Sequence, residues 1–196
     1  RTFEYEKYDE LPIIHDLYYF KNFLVDVLEL PYHKSSLLKE FKQIAHKIES
    51  LQPQRLMIRD FQSRNILVKE NEVFFIDYQA AMKGPAMYDV VSFLYQAKAN
   101  FSENFKAQML DFYFSFYKNE EKKALTEALK YCKLIRFTQV LGAYGFRGLI
   151  QRKPHFIASL DQGIQNLVEL TKQEKEINLY PELKNLILKL NSEESK

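Results

Sequence analysis

The sequence predicts a mainly α protein carrying one small β-hairpin. Three observations lead there. Apolar residues recur at steps of three and four along most of the chain, and the pattern changes to short β-branched and aromatic runs only between Leu56 and Ile76. Glycine is scarce, five in all and none before Gly84. Steps of three and four put side chains on one helical face, whereas short β-branched and aromatic runs suit strands. With 196 residues, 46% hydrophobic and 15% aromatic, the chain falls within the size of one domain and has ample material for a core.

The elements follow in order. Ile13, Leu17, Phe20, Leu24 and Val27 define a first helix, which Pro31 cannot continue. Leu37, Phe41, Ile44 and Ile48 define a second, with Ser35 or Ser36 as its N-cap and Pro53 beyond its end. Ile66 to Lys69 and Val73 to Ile76 read as the two strands of a hairpin turning through Glu70, Asn71 and Glu72. Helical periodicity then returns over about 88–99, over 103–117 with Phe105, Met109, Phe112 and Phe116 on one face, and over about 121–143. Pro154 opens a helix carrying Phe156, Leu160, Ile164 and Leu167, and Pro181 opens a last one through Leu190. Residues 1–190 are expected to form the folded unit and 191–196 a frayed tail.

Composition excludes several classes of function. Twenty-eight basic against 26 acidic residues leave a net charge of +2, and no basic groove is evident, so nucleic acid is not an expected partner. The aromatic stripe Phe112, Phe114, Phe116 with Tyr113 and Tyr117 is read as core on one face and partial surface on the other, not as a base-stacking platform. The single cysteine, Cys132, sits among Leu125, Leu129 and Ile135 and is expected to be a buried thiol, as in a cytoplasmic protein. No apolar run approaches the roughly 18 residues of a membrane span, and the charged start does not resemble a signal peptide. The chain opens on Arg1 without an initiator methionine and is treated as a fragment. The histidines at 15, 33, 46 and 155 show no paired metal spacing, and no serine lies in a Gly-x-Ser-x-Gly setting, which argues against zinc and serine-hydrolase chemistry.

One stretch concentrates chemistry. Arg59-Asp60-Phe61-Gln62-Ser63-Arg64-Asn65 precedes the hairpin, and Ile76-Asp77-Tyr78-Gln79 follows it. If Glu70 to Glu72 form a three-residue turn, Lys69 faces Val73, and counting outward sets Asn65 opposite Asp77. Opposed side chains have Cβ atoms roughly 5 Å apart. An amide oxygen and a carboxylate meeting there suit a hard cation such as magnesium, which uses one or two carboxylates together with substrate phosphates. The inference depends on register, because a slip of one residue turns side chains to the opposite face.

An Asp, an Asn five residues on, a short hairpin and an Asp after an apolar strand resemble the catalytic loop and metal-binding Asp of protein kinases and of the aminoglycoside phosphotransferase and choline kinase families. The text Arg-Asp-Phe-Gln-Ser-Arg-Asn-Ile-Leu, with Ile76 to Ser92 after it, looks more like a bacterial branch that includes kinases of N-acetylmuramate or N-acetylglucosamine. The resemblance implies the C-terminal lobe of a protein kinase-like fold. It also implies ATP as co-substrate, a small hydroxyl-bearing acceptor, Asp60 as the base, and Asn65 and Asp77 as Mg2+ ligands. Two departures stand out. Ile58 occupies the place of the family's loop-bracing histidine, and the 59 residues before Asp60 contain no glycine-rich phosphate-covering loop, so the N-terminal ATP-clamping lobe is expected outside this chain, with further domains admissible.

Other residues carry weaker signals. Asp89 reads as a cap of the following helix, or, by the resemblance, as a support for the site. Arg64 stands between a contact with phosphate or a substrate carboxylate and a surface salt bridge. Arg147 and Arg152 flank a Gly-bearing helix junction that suits either an anionic substrate or a solvated helix end. The competing readings of the whole are a non-catalytic kinase-like binding or regulatory module, and a helical scaffold in which the trio is coincidental.

Overall fold

The computed structural model of the chain describes residues 5–96 and 99–193. The fold comprises two compact units, one of Arg1–Asp9 with Ile48–Lys133 and one of Glu10–Lys47 with Leu134–Lys196.

Among the described residues the first unit holds all the β-structure. Strands β1 (Gln54–Met57) and β4 (Met82–Pro85) pair antiparallel with Met57 opposite Met82. Lys7 extends this sheet through Tyr8 N to Lys83 O at 2.7 Å and Lys83 N to Glu6 O at 3.0 Å. A Cβ at Gly84 would come within 2.8 Å of Met57 Sδ, so that strand position admits only glycine without repacking. This second small sheet is absent from the sequence reading. Gly84 and Pro85 weigh against a strand in any local reading, and only the edge position makes the proline tolerable.

Strands β2 (Ile66–Lys69) and β3 (Glu72–Phe75) form the expected hairpin in a different register. Lys69 faces Glu72 and Ile66 faces Phe75. The turn has two residues, Glu70 and Asn71, with φ of 52° and 66°, the left-handed values a tight hairpin turn requires. Asn65 therefore lies opposite Ile76, whose N–H donates to Asn65 O at 3.0 Å, and not opposite Asp77.

Helices α3 (Met87–Leu94), α4 (Glu103–Ser115) and the first part of α5 (Asn119–Tyr144) complete this unit. Its core includes Tyr8, Met57, Met82, Met87, Tyr88, Val91, Leu125 and Cys132. Helix α3 stops short of the expected 99, and of that span residues 97 and 98 lie outside the described residues. Helix α4 buries none of its residues, and Phe112 and Phe116 are exposed. Of the stripe read as core on one face and partial surface on the other, Phe112 and Phe116 form the surface side. The inward side carries Tyr113, whose hydroxyl donates to Ala86 O at 3.3 Å, and burial followed by its bond with Tyr117 raises its pKa above the ordinary tyrosine range.

The regular structure of the second unit is all helical among the described residues. Helix α1 (Glu10–Phe20) passes into a wide π-turn over Lys21–Val25, which shifts the apolar phase by one residue. Leu24 and Val25 are buried as a result, and Val27, expected on the core face, is exposed. Helix α2 spans Lys34–Glu49, with Ser35 and Ser36 inside its first turn. The capping role falls to His33, whose Nδ1 accepts from Ser36 N at 3.3 Å. Helix α6 (Pro154–Ile157) and helix α7 (Leu160–Gln173) divide what reads as one helix in sequence. Helix α8 (Pro181–Glu193) begins on Glu40 of α2, a buried carboxylate accepting from Glu182 N at 2.9 Å and Leu183 N at 2.8 Å. Residues 191–193 are thus helical where fraying was expected, and 194–196 lie outside the described residues.

Candidate functional site

The loop after β1 is held from below by α3. Asp89 accepts from Ile58 N at 2.6 Å and from Arg59 N at 2.9 Å, and Ser92 Oγ donates to Arg59 O at 3.4 Å. Asp89 and Ser92 are three residues apart and share one helical face. Between these contacts Arg59 adopts φ of 73°, a left-handed conformation that a long side chain resists and that persists only where the surroundings fix it. Asp89 is consequently not the cap of α3, whose N-cap is Ala86 without a side-chain bond. It is a brace, and it serves the loop at Ile58, the position where the resemblance lacks its histidine.

Beyond Arg59 the chain folds back on itself. Asp60 O accepts from Gln62 N and from Asn65 Nδ2, both at 2.9 Å, and Ser63–Asn65 forms a single 3-10 turn. Ser63 Oγ donates to Gln96 Oε1 at 3.2 Å, tying this turn to the end of α3. Phe61 packs against Phe75 of β3 at 5.5 Å and Phe93 of α3 at 5.8 Å between ring centroids. Two backbone clamps and a ring stack thus hold a glycine-free loop in one shape.

The placement of the candidate side chains follows from that shape. Asn65 is 7% exposed, and its amide orientation is unambiguous, since a carbonyl only accepts and Nδ2 must face it. The amide oxygen is turned away from Asp60 O. The Asp60 carboxylate receives Gln62 Nε2 on Oδ1 at 2.5 Å and Arg64 Nη2 on Oδ2 at 3.2 Å. Asp60, Arg64 and Asn65 are therefore brought together by one loop.

Asp77 follows the last pair of the hairpin at φ of 62°, which ends the strand alternation on which the sequence argument rested. It is exposed, and its Oδ1 accepts from Gln79 Nε2 at 2.7 Å. Asn65 and Asp77 together are hard oxygen donors of the kind magnesium prefers, and Asn65 is pre-oriented by its own hydrogen bond, so the residues fit that ion. Among the described residues there is no group of three or more His, Cys, Asp or Glu placed to hold a metal. A cation here would have to complete its shell with substrate oxygens and water.

Arg147 and Arg152 belong to the second unit. Arg147 lies in a π-turn over Gly145–Ile150 with its guanidinium 5.2 Å from the Phe156 ring, and Arg152 is exposed with φ of 54°. A Cβ at Gly145 would collide with the Phe23 carbonyl oxygen, so the glycine there serves close helix packing. Sequence reasoning missed Gln62 and Ser92 as contributors to the loop. The signal for Ser92 was its spacing of three from Asp89 on a buried helix face.

Burial, reinforced by the Asp89 charge, pushes the Cys132 thiol well above its ordinary range, in keeping with the expected inert residue. The Asp89 brace has a measurable consequence. Asp89→Ala leaves the Ile58 and Arg59 amides without their acceptor, and the chain is expected to lose about 1–3 kcal/mol of stability together with hydrogen-exchange protection at those two amides. Unchanged protection at both would show that Asp89 does not hold the loop.

No helix among the described residues is long and apolar enough to cross a membrane. No curated protein matches the chain. A model of the phosphotransferase enzyme family (APH) matches residues 12–125, a span that holds Asp60, Arg64, Asn65, Asp77 and Asp89. With more than half of its length matched and the clamped Asp60–Asn65 loop inside that match, the chain belongs to the phosphotransferase enzyme family.

Proposed function

We propose that the chain is the C-terminal lobe of an ATP-dependent kinase that phosphorylates a hydroxyl of a small sugar-like molecule, of the kind the amino-sugar branch acts on. The observation that carries this reading is the braced loop in which Asp60 presents a half-buried carboxylate beside a buried, oriented Asn65. Phosphoryl transfer of this kind depends on positioning and charge compensation more than on covalent chemistry, so a loop fixed at both ends is the feature the reaction needs.

In this mechanism Asp60 accepts a hydrogen bond from the acceptor hydroxyl, directs its oxygen toward the terminal phosphorus of ATP, and takes its proton as the new O–P bond forms and the bond from that phosphorus to the β–γ bridging oxygen breaks, releasing ADP. Asn65, through its amide oxygen, and Asp77, through its carboxylate, would hold Mg2+ with the ATP phosphates. Charge neutralisation on the phosphate oxygens is the chemistry that a bound magnesium ion supplies. Asp89 and Ser92 keep the loop closed over α3, which takes the part of the missing histidine at Ile58.

The test is transfer of label from γ-labelled ATP with Mg2+ in the full-length protein, offered N-acetylglucosamine, N-acetylmuramate, an aminoglycoside and choline in parallel. Label is expected on a sugar hydroxyl. Nucleotide binding with no labelled acceptor would favour the non-catalytic binding module instead, and labelled choline would move the protein to a different acceptor class.

A further inference from the structure

We infer that Arg64 and Gln62 are positioning residues for the Asp60 carboxylate, one donor on each oxygen, and that Arg64 acts through Asp60 and not as a ligand of substrate or phosphate. The inference rests on the reading of Asp60 as the group that faces the acceptor hydroxyl, and it decides the choice the sequence left open for Arg64.

The geometry supports it from both sides. Gln62 Nε2 lies 2.5 Å from Oδ1, and Arg64 Nη2 lies 3.2 Å from Oδ2. A carboxylate has about four lone-pair sites, so a donor on each oxygen constrains its direction. Rotation of the Asp60 side chain would break both bonds at once. The loop's own folding places the donors: Gln62 N to Asp60 O and Asn65 N to Gln62 O, both 2.9 Å, return residues 62 and 64 to residue 60. Ser63, between them, is tied to Gln96.

Exposure settles what this arrangement contributes. The Arg64 side chain is 58% exposed and that of Asp60 31%, and an ion pair so open to water adds little to stability. Its effect is on orientation. General-base chemistry is sensitive to orientation, since the carboxylate must lie along the line of the departing proton.

The test uses Gln62→Met, Arg64→Met, Arg64→Lys and the double Gln62→Met/Arg64→Met variant in the full-length protein. Without any ligand, three-bond couplings at neutral pH report the Asp60 χ1 rotamer. A single rotamer is expected in the wild type and averaging in the double variant. With Mg-ATP and N-acetylglucosamine as the probe pair, Arg64→Met should lower kcat by about 10- to 100-fold while the acceptor KM stays within about twofold, as for an interaction expressed only in the transition state. Arg64→Lys should restore part of the loss, and Arg64→Met should cost nothing further in an Asp60→Asn background. The inference is overturned if Asp60 keeps one rotamer in the double variant, or if the Arg64→Met loss is fully additive with Asp60→Asn. Should Asp60→Asn prove silent, the reading of Asp60 fails, and the rotamer measurement still decides whether the two donors hold the side chain.

Discussion

Asp60→Asn in the full-length protein is expected to lower the rate of phosphoryl transfer by on the order of 10²-fold or more, the usual extent of general-base loss, with Mg-ATP affinity little changed. The variant keeps the side chain's shape and one acceptor oxygen, so Gln62 or Arg64 retains a partner and the backbone acceptor Asp60 O, which receives Gln62 N and Asn65 Nδ2, is untouched. The loop should therefore stay folded while the charge that orients the hydroxyl and takes its proton is gone. Single-turnover rates and nucleotide affinity, measured on the same preparation, separate these effects. Lost nucleotide binding with an unchanged chemical step would reverse the roles assigned to Asp60 and the metal ligands.

Asp77→Ala is expected to abolish magnesium-supported transfer and to leave the fold intact, because the side chain is exposed and its carboxylate accepts from the nearby Gln79. Backbone conformation needs a control. Asp77 sits at φ of 62°, where aspartate and asparagine are tolerated better than alanine, so about 1 kcal/mol of any stability loss in the alanine variant belongs to the backbone. Asp77→Asn retains that tolerance and one oxygen donor and should fall between wild type and Asp77→Ala in the magnesium concentration required for activity. Circular dichroism with activity across a magnesium titration provides the comparison. Wild-type activity in Asp77→Ala at low magnesium would remove the residue from the site.

Asp60 and Asn65 were legible because their relation is local: five residues of loop closed by hydrogen bonds among themselves, with Asn65 capping Asp60 O. Helices α2, α5 and α8 were legible for a similar reason, each carrying an apolar period that holds wherever it packs. The hairpin was legible as a pair of strands but not in its register. Glu70-Asn71-Glu72 permits a three-residue turn or a two-residue one, and the choice lay with φ at Glu70 and Asn71, which composition leaves open.

Other losses were of the same kind. Nothing within α4 distinguishes a buried Phe112 from an exposed one, since burial depends on what packs against the helix. The π-turn at Lys21–Val25 changes which residue faces inward without leaving a pattern in the letters, so Val27 was placed on the wrong face. Asp89 shows the limit most directly. By sequence it precedes an apolar helical run and suits a cap, but its carboxylate reaches 30 and 31 residues back to Arg59 N and Ile58 N.

By itself, then, the sequence determined the mainly helical class, the hairpin and the buried Cys132, since each follows from residue type and short-range spacing, and it marked Asp60, Asn65 and Asp77 as candidates. Tertiary structure alone decided the hairpin register, the β1–β4 sheet, the exposed face of α4, the brace from Asp89 and Ser92, and the partnership of Gln62 and Arg64 with Asp60. The physical reason is range. Periodicity and turn chemistry are set by neighbours a few residues apart, whereas register, burial and backbone strain are set by groups that meet only once the chain has folded.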